Sequence, residues 1–240
     1  MFAFGAERNR IVAAGRTRAV KPIALPAEAT IFATLRLRMV DHQLRARGIE
    51  DERVLDAMSR VPRHEFTAGR YRDQAYEDYP LPIGEGQTIS QPYIVALMLE
   101  ALALTPTGRV LEVGTGSGYV TALLAELAAQ VISVERYAAL ADEAQSLLVY
   151  LGYSNVKVIT GDGSQGFATC APYDAIIVSA AASEVPRPLL AQLAEGGRMI
   201  LPVGSFDTQQ LQLIHMRNGQ PHTTLRELCR FVPLVVGTQP

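Results

Sequence analysis

The strongest constraint on the fold is a regular alternation of short apolar runs and longer amphipathic segments between residues 109 and 202. Such alternation predicts an α/β fold with a mostly parallel, doubly wound sheet and helices on both faces. The predicted strands are residues 109–113, 131–135, 155–160, 175–179 and 197–202. The predicted helices between them are residues 119–129, 138–151 and a short helix near 188–194.

The rest of the chain divides into an arm, a helical region and a tail. Residues 1–30 are rich in arginine, and we expect a partly disordered basic arm, with a contact arm for a partner or a targeting segment as alternatives. Residues 31–92 begin with helical spacing and continue as an irregular stretch, which is typical of a functional loop or of disorder. Residues 93–240 form the predicted core, which ends in an edge hairpin of strands 210–216 and 227–236.

Composition narrows the possible partners. The formal net charge of −2 argues against nucleic acid as a partner, because no overall basic field would attract a phosphate backbone. No apolar run reaches the roughly 20 residues of a membrane helix, and we expect no membrane partner and a cytoplasmic protein. Cys170, Cys229 and the four histidines form no cluster in the sequence, so we expect no bound metal.

A glycine-rich turn joins the first strand of the predicted core to its helix. Residues 111–118 read Leu-Glu-Val-Gly-Thr-Gly-Ser-Gly, and glycines at such a turn let a ligand approach the backbone closely. The same glycines can also serve only to pack a helix against a sheet. The predicted cofactor-binding residues of this segment are Glu112, Gly114, Thr115, Gly116, Ser117 and Gly118.

Acidic residues stand near the ends of three successive strands. Glu135 closes the second strand, where a carboxylate can accept hydrogen bonds from both hydroxyls of a ribose. Asp162 follows the third strand and is placed to accept a hydrogen bond from the amino group of adenine. Glu112 precedes a Gly-x-Gly-x-Gly turn, which differs from the dinucleotide spacing, and its carboxylate would repel a pyrophosphate. We therefore predict the cationic S-adenosylmethionine, although Glu112 as a surface charge and Asp162 as an ordinary turn residue remain alternatives.

Segments on both sides of this site resemble the protein-L-isoaspartate (D-aspartate) O-methyltransferase family. The most specific is Leu-Pro-Ile-Gly-Glu-Gly-Gln-Thr-Ile-Ser-Gln-Pro at 81–92. Val-Pro-Arg-His-Glu-Phe at 61–66 is also similar, although Thr67 and Ala68 stand where the family usually has Val-Pro. Other matching segments are 38–40, 43–44, 47–49, 75–78, 173–178, 196–198, 201–204 and 231–234. The resemblance extends from about residue 31 to residue 237.

The resemblance implies a fold and an activity. The fold is the Rossmann-like one of S-adenosylmethionine-dependent methyltransferases, with an N-terminal helical cap and a C-terminal edge hairpin. The activity is methyl transfer to the free α-carboxylate of L-isoaspartyl residues, and also of D-aspartyl residues, in damaged proteins and peptides. S-adenosylhomocysteine is the second product, and the ester starts protein repair. A monomer or a weak homo-oligomer is expected.

The resemblance also implies roles for particular residues. Ser90 is the expected catalytic residue, although a serine just before Pro92 could instead cap the following helix. From the residues themselves, Asp78 is expected to be structural, because it and Glu77 would repel a bound anion. His64 is expected to be structural as well, because a lone histidine beside a proline and an arginine is more often structural. Further cofactor contacts are expected from Thr88, Ile89, Arg136 and Gly163, and substrate contacts from Gln87, Ser90, Val232, Pro233 and Leu234.

Two other functions fit parts of the sequence. Another S-adenosylmethionine enzyme, acting on a small molecule or on RNA, would account for residues 109–200 but not for residues 81–92. A binding module that has lost turnover is the second alternative. It would have no physical reason to keep the glycine turn, Glu135, Asp162 and Ser90 together.

Overall fold

A computed structural model describes residues 26–205 and 207–237 of the chain. Its helices and strands follow the predicted order from residue 92 to residue 204, with only short 3₁₀ turns between the strands at 156–160 and 173–178. The helices are α1 (Pro26–Arg38), α2 (Glu52–Arg60), α3 (Pro92–Leu102), α4 (Tyr119–Leu127), α5 (Ala138–Tyr150) and α6 (Arg187–Leu190). The strands are β1 (Leu81–Pro82), β2 (Thr88–Ile89), β3 (Arg109–Val113), β4 (Gln130–Glu135), β5 (Val156–Thr160), β6 (Tyr173–Val178), β7 (Leu193–Gly204), β8 (Gln209–Arg217) and β9 (Gln220–Cys229).

Seven of these strands form one sheet in the order β5-β4-β3-β6-β7-β8-β9. The strands from β3 to β7 pair in parallel, while β8 and β9 are antiparallel additions at one edge. The predicted doubly wound, mostly parallel sheet is therefore confirmed. The chain order reverses between β3 and β6, and in such sheets the crevice beyond the carboxyl ends of the strands at this switch point is where ligands bind.

The second strand of the edge hairpin differs from the prediction. It runs over Gln220–Cys229 rather than 227–236, because Asn218 and Gly219 form a tight turn in which both residues have positive φ, 53° and 69°. An Asn-Gly pair is well suited to such a two-residue hairpin turn. Residues 231–237, which we call the C-terminal strap, are thereby released from the hairpin. The strap pairs with Ala181, whose N–H donates to the carbonyl of Val232 and whose carbonyl accepts the N–H of Leu234.

The region before α3 shares its apolar core with the sheet. Phe32, Leu44 and Leu55 are buried in the same cluster as Leu123 of α4 and Leu213 of β8. The helix α1 already begins at Pro26, within the segment predicted as a basic arm, because a proline at the first helical position is followed by the good helix formers Ala, Glu and Ala. Residues 1–25, which carry the rest of that prediction, lie outside the described residues. 

Long-range hydrogen bonds order the irregular stretch between α2 and α3. Asp78 is central: its Oδ1 accepts the N–H of Tyr93 in the first turn of α3, and its Oδ2 accepts Gln91 Nε2 at 2.8 Å. The same Oδ2 pairs with Arg47 at 2.5 Å. The structural role expected for Asp78 is therefore confirmed, and these contacts fix the segment that carries Ser90.

Two classes of feature are absent from the part of the chain that the structure describes. None of its helices has the length and apolar character that crossing a bilayer would require. Within residues 26–205 and 207–237, His, Cys, Asp and Glu side chains also form no group of three that could hold a metal ion.

Candidate functional site

A cavity lies at the carboxyl ends of β3, β4 and β6, at the switch point of the sheet. One wall comes from the turns that follow these strands, and the opposite wall comes from β2, the residues after it and the C-terminal strap. The sequence-predicted residues that line it are Gln87, Thr88, Ile89, Ser90, Gly114, Thr115, Gly116, Ser117, Glu135, Arg136, Gly163, Val232, Pro233 and Leu234.

The glycine turn has the backbone geometry that the sequence suggests. Gly114 and Gly116 have φ of 92° and 54°, a region that favours glycine. The N–H of Gly116 donates to Glu135 Oε2 at 2.8 Å, which ties the turn to the end of β4. Gly163 is required for packing, because a Cβ there would lie 2.4 Å from Val113 Cγ1. The turn after β5 therefore packs directly against the side chain of the last residue of β3.

Glu135 suits a ribose. Its side chain lines the cavity although the residue is only 5% exposed, and its two oxygens accept the N–H groups of Gly116 and Tyr137. Each carboxylate oxygen can accept two hydrogen bonds, so both retain capacity for a ribose hydroxyl. This donor and acceptor pattern fits the nucleoside part of S-adenosylmethionine.

Glu112 does not line the cavity, contrary to the prediction. It points to the opposite face of β3 from Val113 and is fully buried, with Oε2 accepting the hydroxyls of Thr121 and Ser133, both at 2.6 Å. Burial raises the pKa of Glu112 to about 8, and these two hydrogen bonds oppose the shift. Glu112 therefore lies behind the glycine turn, where it contacts the residues that support the cavity rather than a ligand.

Asp162 and Gly118 also lie outside the cavity wall. Asp162 Oδ1 accepts the N–H and the hydroxyl of Ser164, while its Oδ2 accepts the N–H of Gly237 in the strap at 2.7 Å. The carboxylate of Asp162 thus holds the end of the strap beside the cavity, and its contact with adenine stays a prediction. Gly118 precedes α4 with φ of 87°, and a Cβ there would press on Ala144 and Leu148. Its role is to allow α4 to pack against α5.

Ser90 lies between the cavity and a second depression. The cap position of α3 belongs to Gln91, which makes no side-chain capping bond, so the alternative role of Ser90 as a helix cap is not observed. The Ser90 hydroxyl has no hydrogen-bond partner among the described residues. It lines both the cavity and a neighbouring groove of about 550 Å³. The hydroxyl is therefore free to bind a group that lies where the two spaces meet.

The neighbouring groove runs between α3 and the end of β9. Five residues line both spaces and form their shared boundary: Thr88, Ser90, Ser179, Val232 and Pro233. The groove continues along Pro80, Gly86, Gln91, Ile94, Leu228, Cys229, Arg230 and Phe231. Its lining combines apolar, polar and charged side chains from α3, the end of β9 and the segments beside them.

His64 is not placed for catalysis. Its Nδ1 lies 2.6 Å from the Tyr76 hydroxyl, and its ring stacks on Phe32 with centroids 4.1 Å apart. Desolvation lowers the pKa of His64 to about 4. The imidazole lines neither the cavity nor the groove, so the structural role expected from the sequence is confirmed.

The chain is similar to proteins of one family over most of its length. The family model described as protein-L-isoaspartate(D-aspartate) O-methyltransferase matches residues 36–239. The chain therefore belongs to this family. A protein-L-isoaspartate O-methyltransferase of Koribacter versatilis is 55% identical over 213 residues, which cover 89% of this chain and 96% of that protein.

Two solved structures of the family share the fold. One protein-L-isoaspartate O-methyltransferase is 32% identical with a TM-score of 0.76, and the match covers 82% of this chain and 65% of the other. A second, from Plasmodium falciparum in complex with S-adenosyl-L-homocysteine, is 30% identical with a TM-score of 0.74 and covers 83% and 98%. Enzymes of this family are S-adenosylmethionine-dependent methyltransferases, so the predicted class of enzyme and cofactor is confirmed.

Sequence reasoning missed part of the methyltransferase cavity. The residues it did not anticipate are Val113, Tyr119, Val120, Val134, Tyr137, Ser179, Ala180 and Val235. Ser179 could have been found, because it closes the fourth predicted strand at the same sheet edge as Gly114 and Glu135. Val235 was harder to predict from the sequence, because its position depends on a distant contact. Arg136 Nη1 donates to the carbonyls of Val235 and Gly237 at 3.3 and 2.6 Å.

Proposed function

We propose that this chain methylates the free α-carboxylate of L-isoaspartyl residues, and of D-aspartyl residues, and so starts the repair of damaged proteins, with Ser90 holding the carboxylate. The observation that carries the assignment of Ser90 is its position on the boundary between the cavity and the groove. A reacting carboxylate must lie between a methyl donor in one space and a peptide in the other. Ser90 supplies a hydroxyl with no partner among the described residues at that boundary.

The acceptor carboxylate needs orientation but no general base. An aspartate-type carboxylate is ionised at pH 7, so no residue has to remove a proton from it. The Ser90 Oγ–H can donate to one carboxylate oxygen and leave the other to attack. A neutral donor suits this role, because it orients the nucleophile without forming the strong ion pair that a lysine would offer.

The other wall would hold the methyl donor. S-adenosylmethionine supplies an electrophilic methyl group on a sulfonium when it is bound. Glu135 would hold the ribose, and the turn at Gly114–Ser117 would lie against the rest of the cofactor. Thr88, Ile89 and the strap residues Val232–Leu234 would close the opposite side and exclude water. Bringing two oriented reactants together in this way can lower a barrier by ~7–11 kcal/mol.

The groove would bind the damaged polypeptide as an extended segment. Damage arises at many sites, so recognition must depend on the backbone around the altered residue rather than on neighbouring side chains. The proposal assigns this task to the N-terminal region 31–92, through residues 80–92 and the start of α3, and to residues 228–233, which end β9 and begin the strap. The core from residue 93 onward then carries the cofactor.

A monomer or a weak homo-oligomer stays the predicted active species. The cytoplasm stays the predicted compartment. The absence of a nucleic-acid partner likewise stays a prediction from the net charge of −2.

The test is a pair of peptides that differ in one linkage. Methyl-labelled S-adenosylmethionine is offered with an isoaspartyl peptide and with its normal aspartyl twin. We expect base-labile methyl ester on the isoaspartyl peptide and none above background on the twin. Equal labelling of both peptides, or of neither, would instead favour an enzyme acting on a small molecule or RNA. Calorimetry with S-adenosylhomocysteine checks separately that the cofactor site is intact.

A further inference from the structure

Arg63 is a buried cation directly behind Ser90. It stands in a turn of 3₁₀ helix (Arg63–Phe66), and its side chain is completely buried. Its Nε donates to the carbonyl of Ala75 at 2.6 Å, and its Nη2 donates to the carbonyl of Ser90 at 2.8 Å. The guanidinium therefore joins two distant parts of the irregular stretch, and one of them is the residue that faces the acceptor carboxylate.

The charge of Arg63 is not neutralised by the protein. Among the described residues, no carboxylate makes an ion pair with it, and its Nη1 has no hydrogen-bond partner. Asp78, the acid that acts on it from a distance, is already paired with Arg47. The guanidinium also lies over the ring of Tyr119, 4.8 Å from the centroid. Burial raises the pKa of the Tyr119 hydroxyl above its usual range, so this neighbour remains neutral.

A purely structural role does not explain this charge. Burying an unpaired cation is costly, and removing a charge from water is offset only by a counter-charge or by complete hydrogen bonding. A neutral amide side chain could donate to two carbonyls without that cost. An unpaired buried cation at this position is explained if a bound ligand places a negative charge on the other side of Ser90. The substrate of the proposed function brings such a charge, because its α-carboxylate is an anion.

We propose that Arg63 is a positioning residue for the isoaspartyl substrate, which fixes the Ser90 main chain and provides the positive charge that favours the carboxylate at Ser90. This inference rests on the proposed function of Ser90. Arg63 does not line the cavity or the groove, so it acts through Ser90 and through the field of its charge rather than by contact. Electrostatic effects of this kind persist over several ångströms when the intervening region excludes water.

Two variants test separately the positive charge of Arg63 and its hold on the Ser90 main chain. Arg63→Gln removes the charge, so we expect the KM for an isoaspartyl peptide to rise about tenfold or more, as for loss of a charge-assisted interaction. Arg63→Lys retains an ammonium group, which the carboxylate of a bound substrate helps to keep protonated, but it cannot reach both carbonyls as a planar fork. We expect its KM to stay within about threefold of the wild type while kcat falls, because Ser90 is held less firmly.

A matched control is available in Arg53, which also donates to two main-chain carbonyls, those of Leu104 and Leu127, away from the cavity. Arg53→Gln should lower the melting temperature without changing the KM or kcat. For every variant, the Kd for S-adenosylhomocysteine is measured by calorimetry. We expect it to stay within about twofold of the wild type, since Arg63 lines no part of the cavity and its contact on the strand side is with the ring face of Tyr119, which every variant keeps.

The outcomes distinguish this inference from the proposed function. If the wild type labels isoaspartyl and aspartyl peptides equally, the function is wrong and the role of Arg63 falls with it. If the wild type is selective but Arg63→Gln leaves the KM unchanged, only the inference about Arg63 is wrong. Should Arg63→Gln fail to fold, Arg63→Lys decides: a tenfold higher KM with unchanged kcat contradicts the proposal, and the reverse pattern supports it.

Discussion

The two walls of the cavity are built in different ways. The strand wall, made by the turns after β3, β4, β5 and β6, is held by the sheet itself, because each turn follows a strand whose neighbours are paired in register. The loop wall, made by residues 86–91 and the C-terminal strap, belongs to the sheet only through isolated contacts such as Ala181 with Pro233. It depends on side chains that bind distant backbone, as Arg63 binds Ser90 and Asp162 binds Gly237.

This difference has a functional consequence. Residues expected to hold the cofactor lie mainly on the strand wall, while Ser90 and the groove for the substrate belong to the loop wall. The sheet fixes one wall and long-range side-chain contacts fix the other, with Asp162 and Arg136 linking the strap to the strand wall. Changes in one wall should therefore affect one ligand more than the other. Substitutions on each wall therefore test whether the comparison holds.

The largest effect is expected from Ser90→Ala on the loop wall. It removes the donor proposed to hold the acceptor carboxylate, and loss of one such oriented donor lowers turnover by about 10²–10³-fold. The measurement is the kcat and KM for methylation of an isoaspartyl peptide, with the affinity for S-adenosylhomocysteine determined in parallel. We expect the affinity to remain within about twofold of the wild type.

Ser59→Ala is a suitable control for this variant. It also removes a serine hydroxyl, but one that binds the carbonyl of Asp56 within α2 and lines neither space. Its turnover should equal that of the wild type. Unchanged turnover in Ser90→Ala would remove Ser90 from the mechanism, and a parallel loss of S-adenosylhomocysteine binding would show that the two walls are not independent.

The opposite pattern is expected from Gly163→Ala on the strand wall. The added Cβ would lie 2.4 Å from Val113 Cγ1, so the turn after β5 or the end of β3 must move. Overpacking of this kind costs about 1–3 kcal/mol, and if the strain appears in binding, the affinity for S-adenosylhomocysteine falls about tenfold or more. Calorimetry measures this change directly.

Gly69→Ala provides the comparison, because a Cβ at Gly69 would meet no atom within 4 Å. It should bind S-adenosylhomocysteine as the wild type does. If Gly163→Ala binds normally while its KM for the peptide rises, the strand wall does not carry the cofactor as proposed.

The sequence predicts the strand wall better than the loop wall for a physical reason. A glycine turn after an apolar strand, or Glu135 at the end of β4, is encoded within a few residues, and parallel strands bring their ends to one edge. Asp51 caps α2 in an equally local way, because its side chain accepts the N–H of Arg53 two residues away. These features need no knowledge of distant parts of the chain.

The failures arise where position depends on distant contacts or on the direction of a side chain. Both faces of β3 are buried, so apolar patterning could not show that Glu112 points away from the cavity. Asp162 is bound by Gly237, 75 residues later, which no local pattern reveals. Arg63 looks like a surface charge in sequence, because arginine is seldom fully buried. By contrast, Asn218-Gly219 is a strong turn signal that would have corrected the register of the hairpin.

The smallest effect concerns the support behind the strand wall, where Glu112 contacts Ser133, whose hydroxyl lies 2.5 Å from that of Thr115 in the glycine turn. Burial raises the pKa of Glu112 to about 8 from its ordinary value of 4.5. The folded state therefore binds a proton that the unfolded state releases between these two values. Stability contributed by the protonated form is complete below pH 4.5 and is lost as the pH rises toward 8, with a slope of at most about 1.4 kcal/mol per pH unit.

Glu112→Gln should remove this dependence, because the amide has a similar shape and does not ionise. The free energy of unfolding is measured by denaturant titration at pH 6, 7 and 8. We expect the difference between Glu112→Gln and the wild type to shift in favour of the variant as the pH rises, while Glu143→Gln, a change on the exposed surface of α5, shows no such trend. A constant difference across this range would mean that Glu112 is ionised in the fold, and that the strand wall tolerates a buried charge of the kind proposed here only for the loop wall.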